Sequence, residues 1–222
     1  MKSYNSFINL YKSDSKSVNT SKKSSFGKCI DNLRHSPFKC PIIPCGRLIT
    51  PNITRGHFLM DHFEIKTLDC SFEEIYTISI CPGRLKTGDV RCLGLFKMFT
   101  KQEYNTRKEF ESDEKTDNQR LSCTLMLSKY AINPSNNFLV LWSTHLSNYR
   151  VQAVVKIQIR CPSTSSVPSS LTYQGPVEPM LEQKSVSEVF MNGGCLAISP
   201  WQLGEFLDED QMCQILITFC VD

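Results

Sequence analysis

The chain has no C-x-x-C pair, no G-x-x-x-x-G-K-[ST] or G-x-G-x-x-G loop, and no window approaching the roughly 18 apolar residues of a membrane span. The missing glycine loops remove the usual phosphate cradles, and the missing apolar run makes any membrane contact peripheral. The opening residues MKSYNSFINLYKSDSKS lack the unbroken apolar stretch and the small-residue cleavage site of a secretory signal. Lys2 stands where N-myristoylation needs glycine. No export is expected, so the sequons at Asn19-Thr20-Ser21 and Asn52-Ile53-Thr54 read as chance matches.

Histidine is scarce, with four in 222 residues, whereas cysteine is plentiful at eleven. An odd number of cysteines, spread through polar and apolar stretches alike, argues against a disulfide scaffold and for a reduced cytosolic setting. Cys123, Cys161, Cys213 and Cys220 lie in alternating apolar runs, where a thiol acts as a small buried hydrophobe. His57 and His62 are five apart on a predicted strand, which puts them on opposite faces. Cys40-x4-Cys45 has His35 nearby but no second pair at ligand spacing, so no metal and no other cofactor is expected. The acidic cluster Glu109, Glu111, Asp113 and Glu114 is interleaved with Lys108 and Lys115 and lacks the EF-hand glycine, which marks a solvated face. Paired glycines in Asn192-Gly193-Gly194-Cys195 free backbone N–H groups, but a turn between helix and strand explains them more simply. No motif selects a nucleophile or a base, so the chain is not expected to be an enzyme.

What the sequence does carry is uneven charge. Residues 1–28 hold Lys2, Lys12, Lys16, Lys22, Lys23 and Lys28 against Asp14 alone, a net of +5, which leaves −2 for the rest of a chain whose total is +3. From Lys12 to Lys28 this arm is too polar to repay its ordering entropy and is expected to be flexible. Ahead of that stretch, Tyr4, Phe7, Ile8 and Tyr11 fall at i, i+3, i+4 and i+7, a helical stripe too short to stand alone. It is expected to order against lipid or protein. Residues 29–49, with Pro37, Pro41 and Pro44, read as a connector, and the folded domain is placed at 50–222.

Strand signals dominate that domain. Leu121, Cys123, Leu125 and Leu127 alternate with Ser122, Thr124 and Ser128. Val151, Ala153, Val155, Ile157 and Ile159 alternate with Arg150, Gln152, Lys156, Gln158 and Arg160. HFLMDHFEIKTL, FLVLWSTHL and MCQILITFCV add three predicted strands. A capping box at Ser71-Phe72-Glu73-Glu74 predicts a helix over 72–80, Ser199-Pro200-Trp201-Gln202 predicts another, and over 90–99 the spacing of Cys92, Leu95, Phe96 and Phe99 favours a helix, while Leu93, Leu95 and Phe99 also fit a strand. Lys101–Arg120 and the Ser/Pro-rich CPSTSSVPSSLTYQGPVEP are expected to lack regular structure. The expected fold class is α+β: an antiparallel sheet of about five strands with a few helices on one face, preceded by a flexible basic N-terminal arm.

A lysine- and serine-rich arm, a proline-bearing connector and a domain of this size resemble the matrix protein of a rhabdovirus. Ser71-Phe72-Glu73-Glu74-Ile75-Tyr76 is similar to the S-F-D-E-I-Y segment of lyssavirus-type matrix proteins. The chain departs from that family in having no P-P-x-Y, P-[ST]-A-P or Y-x-x-L motif for recruiting budding machinery. The resemblance implies a viral structural protein that links ribonucleoprotein to the inner face of the envelope and drives assembly and budding. It would be found in the virion and on the inner face of host membranes. Its implied partners are anionic membrane lipids, the viral nucleoprotein or ribonucleoprotein, further copies of itself and the envelope glycoprotein. Lys2, Lys12, Lys16, Lys22, Lys23 and Lys28 would then meet lipid or nucleocapsid, and Tyr4, Phe7, Ile8 and Tyr11 would insert or dock on a neighbouring copy. The alternative is a nucleic-acid-binding viral accessory protein, a movement or silencing-suppressor protein, using Arg150, Lys156 and Arg160 as a basic row.

Overall fold

The computed structural model describes residues 37–40, 42, 44–100, 121–133, 136–146, 152–161, 169–180 and 184–221. In chain order the strands are β1 (Phe38–Lys39), β2 (Leu48–Ile49), β3 (Thr67–Ser71), β4 (Tyr76–Ile80), β5 (Val90–Phe99), β6 (Ser122–Asn133), β7 (Asn136–His145), β8 (Ala153–Arg160), β9 (Ser170–Pro176), β10 (Glu178–Pro179), β11 (Leu196–Ile198) and β12 (Cys213–Val221). The helices are α1 (Pro51–Asp61), α2 (Val186–Met191) and α3 (Pro200–Glu205). The fold is therefore mostly β with three short α-helices among the described residues, and the expected single antiparallel sheet is replaced by two large sheets and a hairpin. One large sheet runs β10-β7-β6-β5-β3 with β11 also on β7, and it is mixed, because β3–β5 and β10–β7 pair in parallel. The other, β4-β12-β8-β9, is antiparallel throughout.

The two sheets share one core. Phe96, Met98, Cys123, Leu125, Leu127, Leu139 and Leu141 from the mixed sheet join Val155, Ile157, Ile159, Ile215, Ile217 and Phe219 from the other. Each such side chain contributes roughly 1.5–3 kcal/mol on burial, which is why period-two alternation in β8 and β12 was enough to specify them. β8 behaves as its pattern predicts, with Ala153, Val155, Ile157 and Ile159 buried and Lys156 and Arg160 exposed. β6 departs from the expectation of a wet outer face: Thr124 and Ser128 are buried along with Met126. That outer face is covered by α2 around Met126, Val140 and Trp142, and by the segment 38–65 around Leu95. Thr124 is satisfied within it, since its Oγ1 lies 2.8 Å from Thr144 Oγ1 on β7.

The predicted helix over 72–80 is instead a tight turn followed by β4. Glu74 does not return to the Ser71 backbone. Its carboxylate accepts from the Tyr76 hydroxyl at 2.7 Å, and that hydroxyl accepts from the Ser71 N–H at 2.7 Å. Glu73 takes φ +68 and donates its N–H to the Phe219 carbonyl, so the would-be first helical turn is bound to the opposite sheet. Residues 90–99 form β5 instead of a helix, for a legible reason. A bulge between Cys92 and Gly94 inserts one residue, which leaves Cys92 and Leu95 on one face and Leu93 and Phe96 on the other, an i, i+3 spacing that imitates a helix. The Ser/Pro-rich stretch after Cys161, expected to be irregular, contains β9 and β10, with Leu171 and Tyr173 turned toward the core and Pro176 at the end of an edge strand.

Two local readings hold. Ser199 and Pro200 start α3, with the Ser199 N–H bonded to Gln202 Oε1 at 3.1 Å. Asn192-Gly193-Gly194 is a turn from α2 into β11, with Gly193 at φ +67 and its neighbours' N–H groups returned to the last turn of the helix. Those N–H groups are used in the turn and offer no oxyanion site.

Candidate metal centre

Residues 37–66 form a β-β-α unit on the outer face of the mixed sheet. β1 and β2 pair as an antiparallel hairpin, Phe38 opposite Ile49 and Lys39 opposite Leu48. The Cys40 N–H bonds to the Arg47 carbonyl at 2.7 Å and the Cys45 N–H to the Ile42 carbonyl at 2.8 Å. Gly46, at φ +57, turns the chain back into β2, a conformation that favours glycine. Thr50 is extended, Pro51 opens α1 in the position where its missing N–H costs nothing, and the Thr54 hydroxyl bonds back to the Thr50 carbonyl at 2.9 Å. Phe38, Ile42, Ile49 and Phe58 pack with Leu95, Leu146 and Met180 of the body. The described residues Phe38, Cys40, Ile42 and Ile49, within the segment read as a connector, are thus buried against the body.

α1 corrects the placement of the histidines. A helix puts Thr54, His57, Phe58 and Asp61 on one face at i, i+3, i+4 and i+7, and Thr54, His57 and Phe58 are buried. His62 caps the helix, with its N–H on the Phe58 carbonyl. His57 and His62, expected on opposite faces of a strand, therefore converge with their rings perpendicular and their centroids 4.9 Å apart. Both meet the hairpin cysteines. Cys40 Sγ lies 3.3 Å from His62 Nε2, Cys45 Sγ lies 3.5 Å from His57 Nε2, and all four ligand atoms are within 4.8 Å of one another.

The outer nitrogens of the same rings face carboxylates. His57 Nδ1 donates to Asp61 Oδ2 at 2.6 Å, which makes Nε2 the lone-pair nitrogen, and Arg47 bonds to the same carboxylate oxygen. Asp61 is held below the ordinary carboxylate range by the bond from His57 first and by Arg47 second. His62 Nδ1 faces Glu64 Oε1 at 3.8 Å. Burial lowers the proton affinity of His62 and pushes the Cys40 thiol up to about 12. The sequence did hold a signal for this group: Cys40-x4-Cys45-x11-His57-x4-His62 has the order C-x2–4-C then H-x3–5-H. It was hidden because the inward face of α1 mixes Thr54 and His57 with Phe58 while Ile53, Leu59 and Met60 face outward, so the hydrophobic pattern does not mark the buried side.

Among the described residues, the remaining candidates are dispersed. Lys2, Lys12, Lys16, Lys22, Lys23, Lys28, Tyr4, Phe7, Ile8, Tyr11, His35, Arg150 and the cluster Glu109–Glu114 lie outside the described residues. Lys156 and Arg160 sit on the exposed side of β8, Arg160 donating to Gln158 Oε1 at 3.0 Å. His145 is buried in β7, far along the sequence from the cluster. Ten described cysteines are free thiols, and Cys70, Cys92, Cys195 and Cys213 are all pushed up to about 11 or 12, chiefly by burial. No protein-family model matches the chain, and no curated protein is similar to it.

Proposed function

We propose that this protein acts by attachment and assembly without turnover, as a matrix-type viral structural protein that joins ribonucleoprotein to an anionic membrane. The observation that carries this reading is the outward face of the unit 37–66. Ile53, Leu59 and Met60 on α1 and Phe63 in the turn that follows it are exposed there, Met60 by 78% and Phe63 by 83%. Several large apolar side chains on one short helix mark a contact surface. In the sequence this unit follows the leader with its net of +5, and Lys39, Arg47, Arg55 and Lys66 outnumber Asp61 and Glu64 within it. Lysines near an anionic leaflet contribute about 1 kcal/mol each, a weak attachment that needs an apolar contact beside it. Burial keeps the thiols of Cys70, Cys92, Cys195 and Cys213 protonated and poor as nucleophiles, which supports a role without turnover.

Flotation of nuclease-treated protein with phosphatidylserine vesicles tests the proposal. Removing residues 1–28 is expected to lower the bound fraction at least tenfold, and a Met60→Asp, Phe63→Asp pair severalfold in the full chain. Equal flotation of intact and leaderless protein would defeat it.

The exposed Lys156 and Arg160 on β8 favour a second reading, a nucleic-acid-binding accessory protein. In that case Lys156→Ala weakens RNA binding evenly across sequences and reduces the log-log salt slope by about one. A slope unchanged by this substitution removes β8 from the interface.

A further inference from the structure

We infer that Cys40, Cys45, His57 and His62 bind a single Zn2+ ion as a closed, structural centre. The claim is independent of the membrane reading and rests on the donor set and its placement.

Two thiolates and two imidazoles in tetrahedral array suit zinc among the common divalent ions, whereas calcium and magnesium take oxygen ligands. With Zn–S of about 2.3 Å and Zn–N of about 2.0–2.1 Å, sulfur and nitrogen at two corners of a tetrahedron lie about 3.6 Å apart. The two Sγ to Nε2 separations are 3.3 and 3.5 Å, close to that edge length, and all four ligand atoms lie within 4.8 Å of one another. Each histidine presents Nε2 inward. His57 is oriented by the carboxylate of Asp61, which Arg47 holds in turn, the arrangement that fixes the tautomer of a zinc-binding imidazole. The site is also lodged against apolar Phe38, Ile42 and Phe58, where polar side chains without a strong common partner are costly.

Four protein ligands complete the coordination, which leaves no position for water or substrate and makes the metal a clasp. On binding, the two thiols release their protons to solvent, and the thiolate charges cancel that of the ion. The clasp also explains the mixed inward face of α1. Hydrophobic burial alone would turn Ile53, Leu59 and Met60 inward. Metal ligation through His57 and His62, together with the burial of Phe58, turns them outward.

Metal analysis and cobalt substitution of the full chain test the inference. One zinc per chain is expected. Co2+ is expected to give the intense visible bands of a tetrahedral site with thiolate charge transfer, bleached by added zinc. Asp61→Asn keeps the stoichiometry and binds about 10–100-fold more weakly. Cys40→Ser loses at least hundredfold in affinity, while Cys81→Ser binds like the parent chain. Should Cys40→Ser fail to fold, the cobalt spectrum of the unaltered protein decides alone. A spectrum without thiolate charge transfer, or equal zinc affinity in the parent and Cys40→Ser chains, overturns the assignment.

Discussion

Stripping the full-length protein with a strong chelator is expected to release the amides of β2 and α1 to rapid hydrogen exchange while those of β8 and β12 stay protected. The unit 37–66 has two strands of two residues each and one helix of eleven, too little regular structure to stand by itself. Its packing on the body runs through a small cluster, Phe38, Ile42, Ile49 and Phe58 against Leu95, Leu146 and Met180. A structural zinc contributes an apparent 10–16 kcal/mol, roughly, in small zinc domains at neutral pH, which is of the same order as the burial of that cluster, so its removal takes away a large part of what holds the unit. The body has its own core between the two large sheets and has no ligand in the site. Two transitions on heating the chelated chain, against one for the zinc-loaded chain, are the matching calorimetric result. Unchanged exchange across α1 after verified metal removal would mean that side-chain packing alone holds the unit.

Phe96→Ala is expected to destabilise the body by about 3–5 kcal/mol, read from the urea midpoint at constant slope. Phe96 is fully buried on β5 and meets residues of the facing sheet, with ring centroids 5.2 Å from Phe219 on β12 and 6.4 Å from Tyr76 on β4. Removing the ring leaves a cavity where the two sheets meet, and Gly94, whose position lies against that ring, has no side chain to fill it. Since a domain is stable by about 5–15 kcal/mol in total, the variant should be marginal at 37 °C. Ile53→Ala, on the exposed side of α1, is the control and should stay within about 0.5 kcal/mol of the parent. A loss below about 1 kcal/mol for Phe96→Ala would show that the sheets do not meet there.

Several elements were legible from residues alone. β6, β8 and β12 came from alternation, β7 from the run FLVLWSTHL, α3 from Ser199-Pro200, and the turn after α2 from Asn192-Gly193-Gly194. Those signals are local, because each describes a chain segment whose neighbours along the sequence determine its face or its end. β4 and β5 were misread as helices because their informative partners are distant. Tyr76 and Phe219 capture the groups that a capping box would have used, and the bulge at Leu93 shifts an alternating pattern into a helical one. The metal cluster was missed through the same cause. Its donor types and order are in the sequence, but a helix whose inward face is mixed conceals the side that carries them.

By itself, then, the sequence determined the alternation that makes the chain β-rich, the free state expected of its thiols, the basic leader and the zinc-ligand order. Tertiary structure decided the rest: the split into two facing sheets, the covering of the outer face of β6, and the meeting of Cys40 and Cys45 with His57 and His62. The reason is physical. A strand's alternation records that one face is buried without recording what buries it, and ligands from a hairpin and a helix converge only when both elements have a surface on which to pack.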